Sequence, residues 1–184
     1  MGGTVVFTIG HSNRSFTEFL ELLQEHSVTH VVDVRKLPGS KRYPQFNADD
    51  LAEHLADHRI ALTRSTGLTG RRKVSKDVEF QVNAWWQNRS FHNYADHALS
   101  EEFHTALQQL CETATTQVTA VMCAEAVWWR CHRRIIADNL LTQCYQVEHI
   151  MGPCQLMTAE LSAGAAPRRD GCIVYPASDA TIGT

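Results

Sequence analysis

The sequence lacks the features of membrane-spanning, secreted and nucleic-acid-coating proteins. No apolar run approaches the roughly 20 residues that a membrane-spanning helix needs. The first residues, MGGTVVFTIGHS, contain neither a basic leader nor an apolar stretch long enough for a signal peptide. A formal net charge of −3 makes nucleic acid a possible but not a favoured partner, because bulk electrostatic attraction is missing. We therefore expect a cytoplasmic protein without a membrane partner.

The usual local cysteine motifs are missing too. The chain has six cysteines, and no two of them form a Cys-x-x-Cys pair, which excludes the standard local signature of a zinc or dithiol redox site. A phosphatase-type loop would have an arginine six positions after the cysteine, whereas Arg130 stands seven positions after Cys123. Without a secretion signal, the cysteines are expected to be thiols rather than disulfides.

The chain does contain a regular alternation of strand-like and helix-like segments. Its length of 184 residues, 43% of them hydrophobic, suffices for one domain with a sizeable core. Short β-branched runs predict strands at 5–9, 29–34, 60–63, 117–122 and 146–150. Between them the pattern predicts helices after the capping box Ser15-Phe16-Thr17-Glu18, around Leu51 and Leu55, within 77–97, after Ser100 and at 131–141.

This alternation predicts a single α/β domain spanning 1–184, with a mostly parallel sheet of about five strands flanked by helices. Residues 165–184 are expected to form a loop-like C-terminal extension.

Charged or reactive side chains stand at the predicted ends of four strands. These ends read Gly10-His11-Ser12, Asp33-Val34-Arg35, Cys123-Ala124-Glu125 and His149. The carboxyl ends of parallel strands share one edge of the sheet, where open α/β folds bind their ligands. We therefore predict one polar site at that edge.

The turn after the fourth strand is the densest part of this set. It brings together Cys123, Glu125, Arg130, Cys131, His132, Arg133 and Arg134. Cys131 begins a predicted helix, where the pKa of a thiol falls, although it could equally pack as a small apolar residue. Helical projection directs His132 inward and lets Arg133 reach the crevice, with Arg130 and Arg134 facing solvent.

Two further pairs have a functional and a structural interpretation. His11 could act as a base beside the Ser12 hydroxyl, or the two residues could only end a strand and cap a helix. Asp33 and Arg35 point the same way on a strand. They could form a buried ion pair, or Arg35 could bind an anion with its guanidinium fork.

At these residues the chain resembles the bacterial and archaeal family catalogued as domain of unknown function 488. The matching motifs are Thr8-Ile9-Gly10-His11-Ser12, Asp33-Val34-Arg35 with Pro38 and Ser40, Phe91-His92-Asn93-Tyr94-Ala95, Cys123-Ala124-Glu125, Cys131-His132-Arg133, Val147-Glu148-His149-Ile150, Asp170-Gly171 and Tyr175-Pro176. Leu68-Thr69-Gly70 departs from the family's Leu-Gly-Gly.

The resemblance implies a compact α/β domain with a polar cleft at the strand ends, and it supplies no activity. It also implies that one site is formed by His11, Asp33, Arg35, Cys123, Glu125, Cys131, His132 and Arg133.

Three functions are compatible with these residues, and the first is an enzyme that acts on a small anionic, phosphorylated or nucleotide-like substrate. In that hypothesis Arg35 and Arg133 grip the anion, Cys123 or Cys131 is the nucleophile, and Glu125 or His11 is the acid/base. The remaining substrate-binding candidates are Ser12, Asp33 and His132. The sequence indicates no cofactor and no oligomeric state, and this hypothesis assigns no metal ligand.

The second function is a nucleic-acid or nucleotide binding module without turnover. Its phosphate contacts would come from Arg71, Arg72, Lys73, Arg130 and Arg134, and its stacking surfaces from Trp85 or Trp86. The third is a metal-binding protein whose ligands are gathered across the strand ends, from among His11, Cys123, Cys131, His132 and His149.

Overall fold

Five parallel strands and one antiparallel edge strand form the sheet of this protein. The computed structural model describes residues 3–178. The strands of the sheet are β1 (Val5–Gly10), β2 (His30–Asp33), β3 (Ala61–Arg64), β4 (Thr119–Cys123), β5 (Gln146–Gly152) and β6 (Gln155–Thr158). The helices are α1 (Phe16–Glu25), α2 (Ala48–Asp57), α3 (Arg89–His97), α4 (Glu101–Thr116) and α5 (Arg133–Thr142). Short 3-10 helices lie at Pro44–Phe46, Thr66–Leu68, Phe80–Asn83 and Trp128–Arg130.

The order of the strands confirms the predicted α/β class and the mostly parallel sheet. The sheet runs β3-β2-β4-β1-β5-β6, and only the β5–β6 pair is antiparallel. The sequence pattern did not predict β6, because all four residues of this edge strand are exposed and carry no buried, alternating apolar set.

Helices cover both faces of the sheet and enclose a separate apolar core on each side. On one face Leu23 of α1 and Leu51 of α2 pack with Ile9. On the other face Leu107 of α4 and Ile135 of α5 pack with Val6. The predicted capping box at Ser15 is present, and Ser100 caps α4 as expected. The predicted helical region at 77–97 contains the 3-10 helix Phe80–Asn83 and α3.

The topology creates a crevice between the carboxyl ends of β1 and β4. The connection from β1 to β2 passes through α1 on one face, whereas the connection from β4 to β5 passes through α5 on the other. Adjacent strands whose connections leave toward opposite faces form the switch point at which open α/β sheets bind ligands.

The segment after Gly164 is irregular except for the two-residue strands β7 (Ala166–Pro167) and β8 (Ile173–Val174), which pair with each other. Tyr175 is nevertheless fully buried, and its hydroxyl donates to the Asp138 carboxylate of α5 at 2.7 Å. The last residues of the predicted extension, 179–184, lie outside the described residues. Among residues 3–178, no helix combines the length and the apolar character that crossing a membrane requires.

Gly10 permits the close approach of the β4–α5 connection to the end of β1. A Cβ atom at this position would lie 1.9 Å from the carbonyl oxygen of Glu125. We expect Gly10→Ala to lower the free energy of unfolding by about 1–3 kcal/mol or more, because backbone must move to relieve the overlap. Urea unfolding measures the change.

Gly39→Ala is the matched control, since its added Cβ would meet only the Asn47 side chain at 3.8 Å. It should change stability by less than about 0.5 kcal/mol. Equal effects of the two substitutions would contradict the proposed contact.

Candidate functional site

The carboxyl ends of β1, β2 and β4 open into a cleft of about 790 Å³. Its lining brings together most of the residues predicted from the strand ends, namely His11, Ser12, Arg35, Cys123, Glu125, Cys131 and His132. Two predicted site residues, Asp33 and Arg133, are buried and do not line the cleft.

Two thiols and one imidazole converge on the floor of this cleft. Cys123 ends β4, Cys131 follows the 3-10 helix Trp128–Arg130, and His132 immediately precedes α5. The two sulfur atoms and one ring nitrogen of His132 all lie within 4.8 Å of one another. We call these three residues the thiol–imidazole cluster. Cys131 and His132 are adjacent in the chain, whereas Cys123 lies eight positions before Cys131 and is brought to them by the fold.

A backbone hydrogen bond orients the imidazole of this cluster. His132 Nε2 lies 3.2 Å from the carbonyl oxygen of Val34, to which it can donate only as N–H. In the neutral ring this leaves Nδ1 with a free lone pair, and Nδ1 lies 3.7 Å from Cys131 Sγ. Nδ1 is therefore the ring nitrogen that lies next to Cys131.

Arg133 lies behind the cluster as a buried cation. It is 1% exposed, and its Nε donates to Cys131 Sγ at 3.3 Å. Its Nη1 donates to Thr8 Oγ1 at 3.4 Å, and its Nη2 donates to the carbonyl oxygen of Glu125. Within residues 3–178 no carboxylate forms an ion pair with it. Because a buried charge needs a partner, this guanidinium favours the thiolate form of Cys131.

The two thiols are therefore different in character. Burial alone would raise the pKa of Cys131, but hydrogen bonds with Cys123 and His132, together with the charges of His132 and Arg133, hold it well below its ordinary value. Hydrogen bonding to Cys131 and burial raise the pKa of Cys123. Of the two thiols, Cys131 is therefore the one whose surroundings favour the thiolate form.

The structure corrects the predicted anion grip of Arg35 and Arg133. The Nε and Nη2 groups of Arg35 bind the Asp33 carboxylate at 2.7–3.1 Å, and its Nη1 donates to the carbonyl oxygen of Phe46 at 2.7 Å. Both partners of the Asp33–Arg35 pair are buried. The structural interpretation of this pair is therefore the one realised, and Arg133 lies behind the cleft.

His11 and Ser12 show no geometry for nucleophilic catalysis. The Nδ1 of His11 lies 2.9 Å from the Ser12 carbonyl oxygen, and its Nε2 lies 3.2 Å from Arg35 Nη1. Burial, reinforced by the charge of Arg35, lowers the pKa of His11 to about 4. The ring is thus neutral with both nitrogens engaged. The Ser12 hydroxyl contacts only Asn13, at 3.4 Å, and its φ of 50° places it in a turn.

Besides the buried Arg35, the cleft is lined by three exposed cations, Lys36, Arg71 and Arg130. The helical projection predicts that Arg130 faces solvent, and the sequence places Arg71 only in a basic triplet. No local sequence pattern identifies these residues as cleft residues, because they belong to separate segments of the chain that only the fold brings together.

Other candidate cations are engaged elsewhere. Arg134, expected at the surface, is half-buried, and its guanidinium lies 5.0 Å from the ring centre of Trp86 and 5.8 Å from that of Trp128. Arg72 donates to the carbonyl oxygens of Thr66 and Thr69. Neither side chain is available for phosphate contacts.

His149, the fourth predicted strand-end residue, lies beneath the site. Its Nδ1 is 2.7 Å from Thr8 Oγ1, and its ring stacks on Trp128 with centroids 4.6 Å apart. Thr8 also accepts from Arg133, so a hydrogen-bonded chain links α5, β1 and β5. Within the described part of the chain the Nε2 of His149 is buried without a partner. Burial, followed by the charge of Arg133, lowers its pKa to about 4.

The fold and the site together define an α/β protein with a cysteine–histidine cleft at the switch point of its sheet. The family described as "Domain of unknown function DUF488" matches residues 15–140, and the chain belongs to this family. This confirms the resemblance noted from the motifs. None of the curated proteins compared with the chain matches it significantly.

Loss of Arg35 should destabilise the fold, because it would leave the buried Asp33 carboxylate without its counterion. We expect Arg35→Ala to cost about 3–5 kcal/mol of unfolding free energy. The control is Arg168→Ala, which breaks a 3.0 Å pair with Asp170 whose partners are 52% and 49% exposed. It should cost less than about 1 kcal/mol. A small loss for Arg35→Ala in chemical denaturation would show that the pair does not support the fold.

Titration of His149 should make the protein less stable in mild acid. Its pKa is about 4 in the folded chain and 6.5 ordinarily, so between these values only the unfolded chain binds the proton. The unfolding free energy should therefore fall as the pH drops below 6.5, by up to about 1.4 kcal/mol per pH unit for one histidine.

Replacing the His149 imidazole by the amide of asparagine removes the contribution of this residue to the pH dependence of the unfolding free energy. His149→Asn should make the unfolding free energy depend less steeply on pH between pH 6.5 and 4, and the dependence that remains includes the contribution of His11, whose pKa is also about 4. Identical pH profiles for wild type and His149→Asn would refute the assignment.

Proposed function

We propose that this protein is an enzyme that binds a small anionic substrate, phosphorylated or nucleotide-like, and acts on it at the thiol–imidazole cluster. The observation that carries the proposal is the buried Arg133, which has no carboxylate partner within residues 3–178 and donates to Cys131 Sγ at the floor of a cleft lined by exposed arginines. A structural core has no need of a stabilised thiolate next to an oriented imidazole. The free thiols throughout residues 3–178 suit the reducing cytoplasm, where we propose that the enzyme works.

The cleft supports binding of an anion of small-molecule size. Its volume of about 790 Å³ falls within the range of roughly 300–1,000 Å³ typical of ligand pockets. Arg71 lines it from a loop and Arg130 from the end of the 3-10 helix Trp128–Arg130, and within residues 3–178 neither is paired with a carboxylate. Two guanidinium groups on one cleft can together bind a phosphate or carboxylate group.

The remaining predicted residues take distinct roles in this proposal. Glu125 is exposed in the cleft two positions after Cys123, and we assign it the acid/base function. His11, Asp33 and Arg35 hold the ends of β1 and β2 in place rather than contacting substrate through free groups. Ser12 lines the cleft and is available for a substrate contact.

A nucleic-acid binding module has less support. The residues proposed for it do not form one exposed surface, because Arg134 packs against the rings of Trp85 and Trp86 and Arg72 is bound to backbone carbonyls. Trp86 itself is buried and not available for stacking on a base.

The proposal predicts that inorganic phosphate and pyrophosphate raise the melting temperature through the cleft arginines. A charge-assisted hydrogen bond contributes about 1.5–3 kcal/mol, so Arg71→Ala and Arg130→Ala should each weaken binding about tenfold or more. Thermal-shift titrations of the folded variants provide the apparent affinities.

Arg169→Ala removes an exposed arginine that does not line the cleft and serves as the control. It should leave the phosphate response unchanged. Binding that survives in the Arg71→Ala/Arg130→Ala double variant, or that falls equally in the control, would reject the proposed anion site.

A further inference from the structure

We infer that Cys123, Cys131 and His132 form a binding site for one zinc-like divalent metal ion, with a fourth coordination position open to the cleft. The inference deepens the proposed function and rests on it for the role of the metal, since it names the cofactor of the same cluster. Four independent features of the structure carry it.

The first feature is the chemistry and spacing of the donors. Thiolate and imidazole are the ligands that favour zinc, and hard oxygen ligands are absent from the cluster. Zinc–sulfur and zinc–nitrogen bonds of about 2.3 and 2.0 Å in a tetrahedron place neighbouring S and N donors about 3.5–3.6 Å apart. Cys131 Sγ and His132 Nδ1 are separated by 3.7 Å, and all three donors lie within 4.8 Å of one another.

The second feature is the orientation of the imidazole. A metal-binding histidine usually donates its other ring N–H to a carbonyl or carboxylate, which fixes the ring and the tautomer. The contact of His132 Nε2 with the Val34 carbonyl has this form and leaves Nδ1 as the donor nitrogen, next to Cys131 Sγ.

The third feature is the lack of a side chain at Gly70, next to the donor nitrogen. A Cβ at this position would lie 2.7 Å from His132 Nδ1, well inside van der Waals contact. Gly70 and His132 both line the cleft, so a side chain at position 70 would crowd the donor nitrogen.

The fourth feature is the presence of two thiols where a nucleophile needs only one. A second thiolate at this distance would be repelled by the first, and a divalent cation is the group that stabilises both. Arg133 Nε, which donates to Cys131 Sγ, then acts as the outer hydrogen bond to a metal-bound thiolate.

Three protein ligands and one open position are the arrangement of catalytic rather than structural zinc. A water molecule in the open position becomes acidic near neutral pH. Its proton would pass to the Glu125 carboxylate, and the hydroxide oxygen would form a bond to the electrophilic phosphorus or carbon of the substrate held by Arg71 and Arg130. The bond to the leaving group would break, and the leaving group would take the proton from Glu125. The site thereby supports metal-assisted hydrolysis.

Cobalt titration of the reduced, metal-free protein tests the inference. We expect one Co²⁺ per chain to bind, with thiolate-to-cobalt charge-transfer absorption and the intense visible bands of tetrahedral cobalt. Zn²⁺ should displace it and raise the melting temperature. Loss of an outer hydrogen bond costs 10–100-fold in metal affinity, so loss of a ligand in Cys123→Ser, Cys131→Ser or His132→Ala should weaken binding by at least about a hundredfold.

Matched controls distinguish loss of cobalt binding at the cluster from cobalt binding by other cysteines and from unfolding of the protein. Cys144→Ser and Cys154→Ser remove exposed cysteines and should bind cobalt as the wild type does. Gly70→Ala retains all three ligands, so weaker binding by this variant with an unchanged far-ultraviolet circular dichroism spectrum supports the site independently of ligand removal. Absent charge-transfer absorption, or cobalt affinity that is unchanged in the three ligand variants, overturns the inference.

The phosphate titration distinguishes failure of the metal site from failure of the proposed function. If the metal-free protein binds phosphate through Arg71 and Arg130 but no cobalt, the anion cleft stands and the metal site is rejected. If cobalt binds as described and phosphate has no effect, the metal site stands and the anionic substrate is rejected.

Discussion

The structure around the cleft depends on the buried guanidinium of Arg133. At 1% exposure it connects the first turn of α5 with Thr8 on β1, with the carbonyl oxygen of Glu125 and with Cys131 Sγ. A buried cation without a carboxylate partner is stable only if its surroundings supply negative charge and acceptors. Cys131 Sγ and the carbonyl oxygen of Glu125 accept from this guanidinium, whose charge in turn favours the thiolate form of Cys131. Packing and reactivity at this point therefore have the same cause.

The topology explains why such a group lies at this place. The β1–α1–β2 and β4–α5–β5 connections leave on opposite faces of the sheet, so a crevice opens between two neighbouring strands. Gly10 lets the backbone at Glu125 pass directly over the end of β1 and brings the connection that holds Arg133 close to the sheet. A second buried pair, Asp33 with Arg35, holds the neighbouring strand end. The thiol–imidazole cluster lies between Arg133 and the Asp33–Arg35 pair.

Much of the site was predictable because parallel strands end at one edge. The positions of His11, Asp33, Cys123 and Glu125 after β-branched runs are local information, and that information places them near one another in any parallel sheet. The capping box at Ser15 and the cap at Ser100 are equally local. The antiparallel strand β6 was not predictable, since exposed edge residues carry no apolar period.

The sequence by itself determined the fold class, the sheet edge at which the cleft opens and several of the residues that line it. Only the tertiary structure decided what each side chain does. The guanidinium of Arg35 forms an ion pair with Asp33, and Arg133 lies behind the cleft. Arg71 and Arg130 reach the rim of the cleft from separate segments of the chain. The physical reason is that hydrophobic period and capping are properties of neighbouring residues, whereas the partner of a charge or thiol depends on the three-dimensional approach of distant segments.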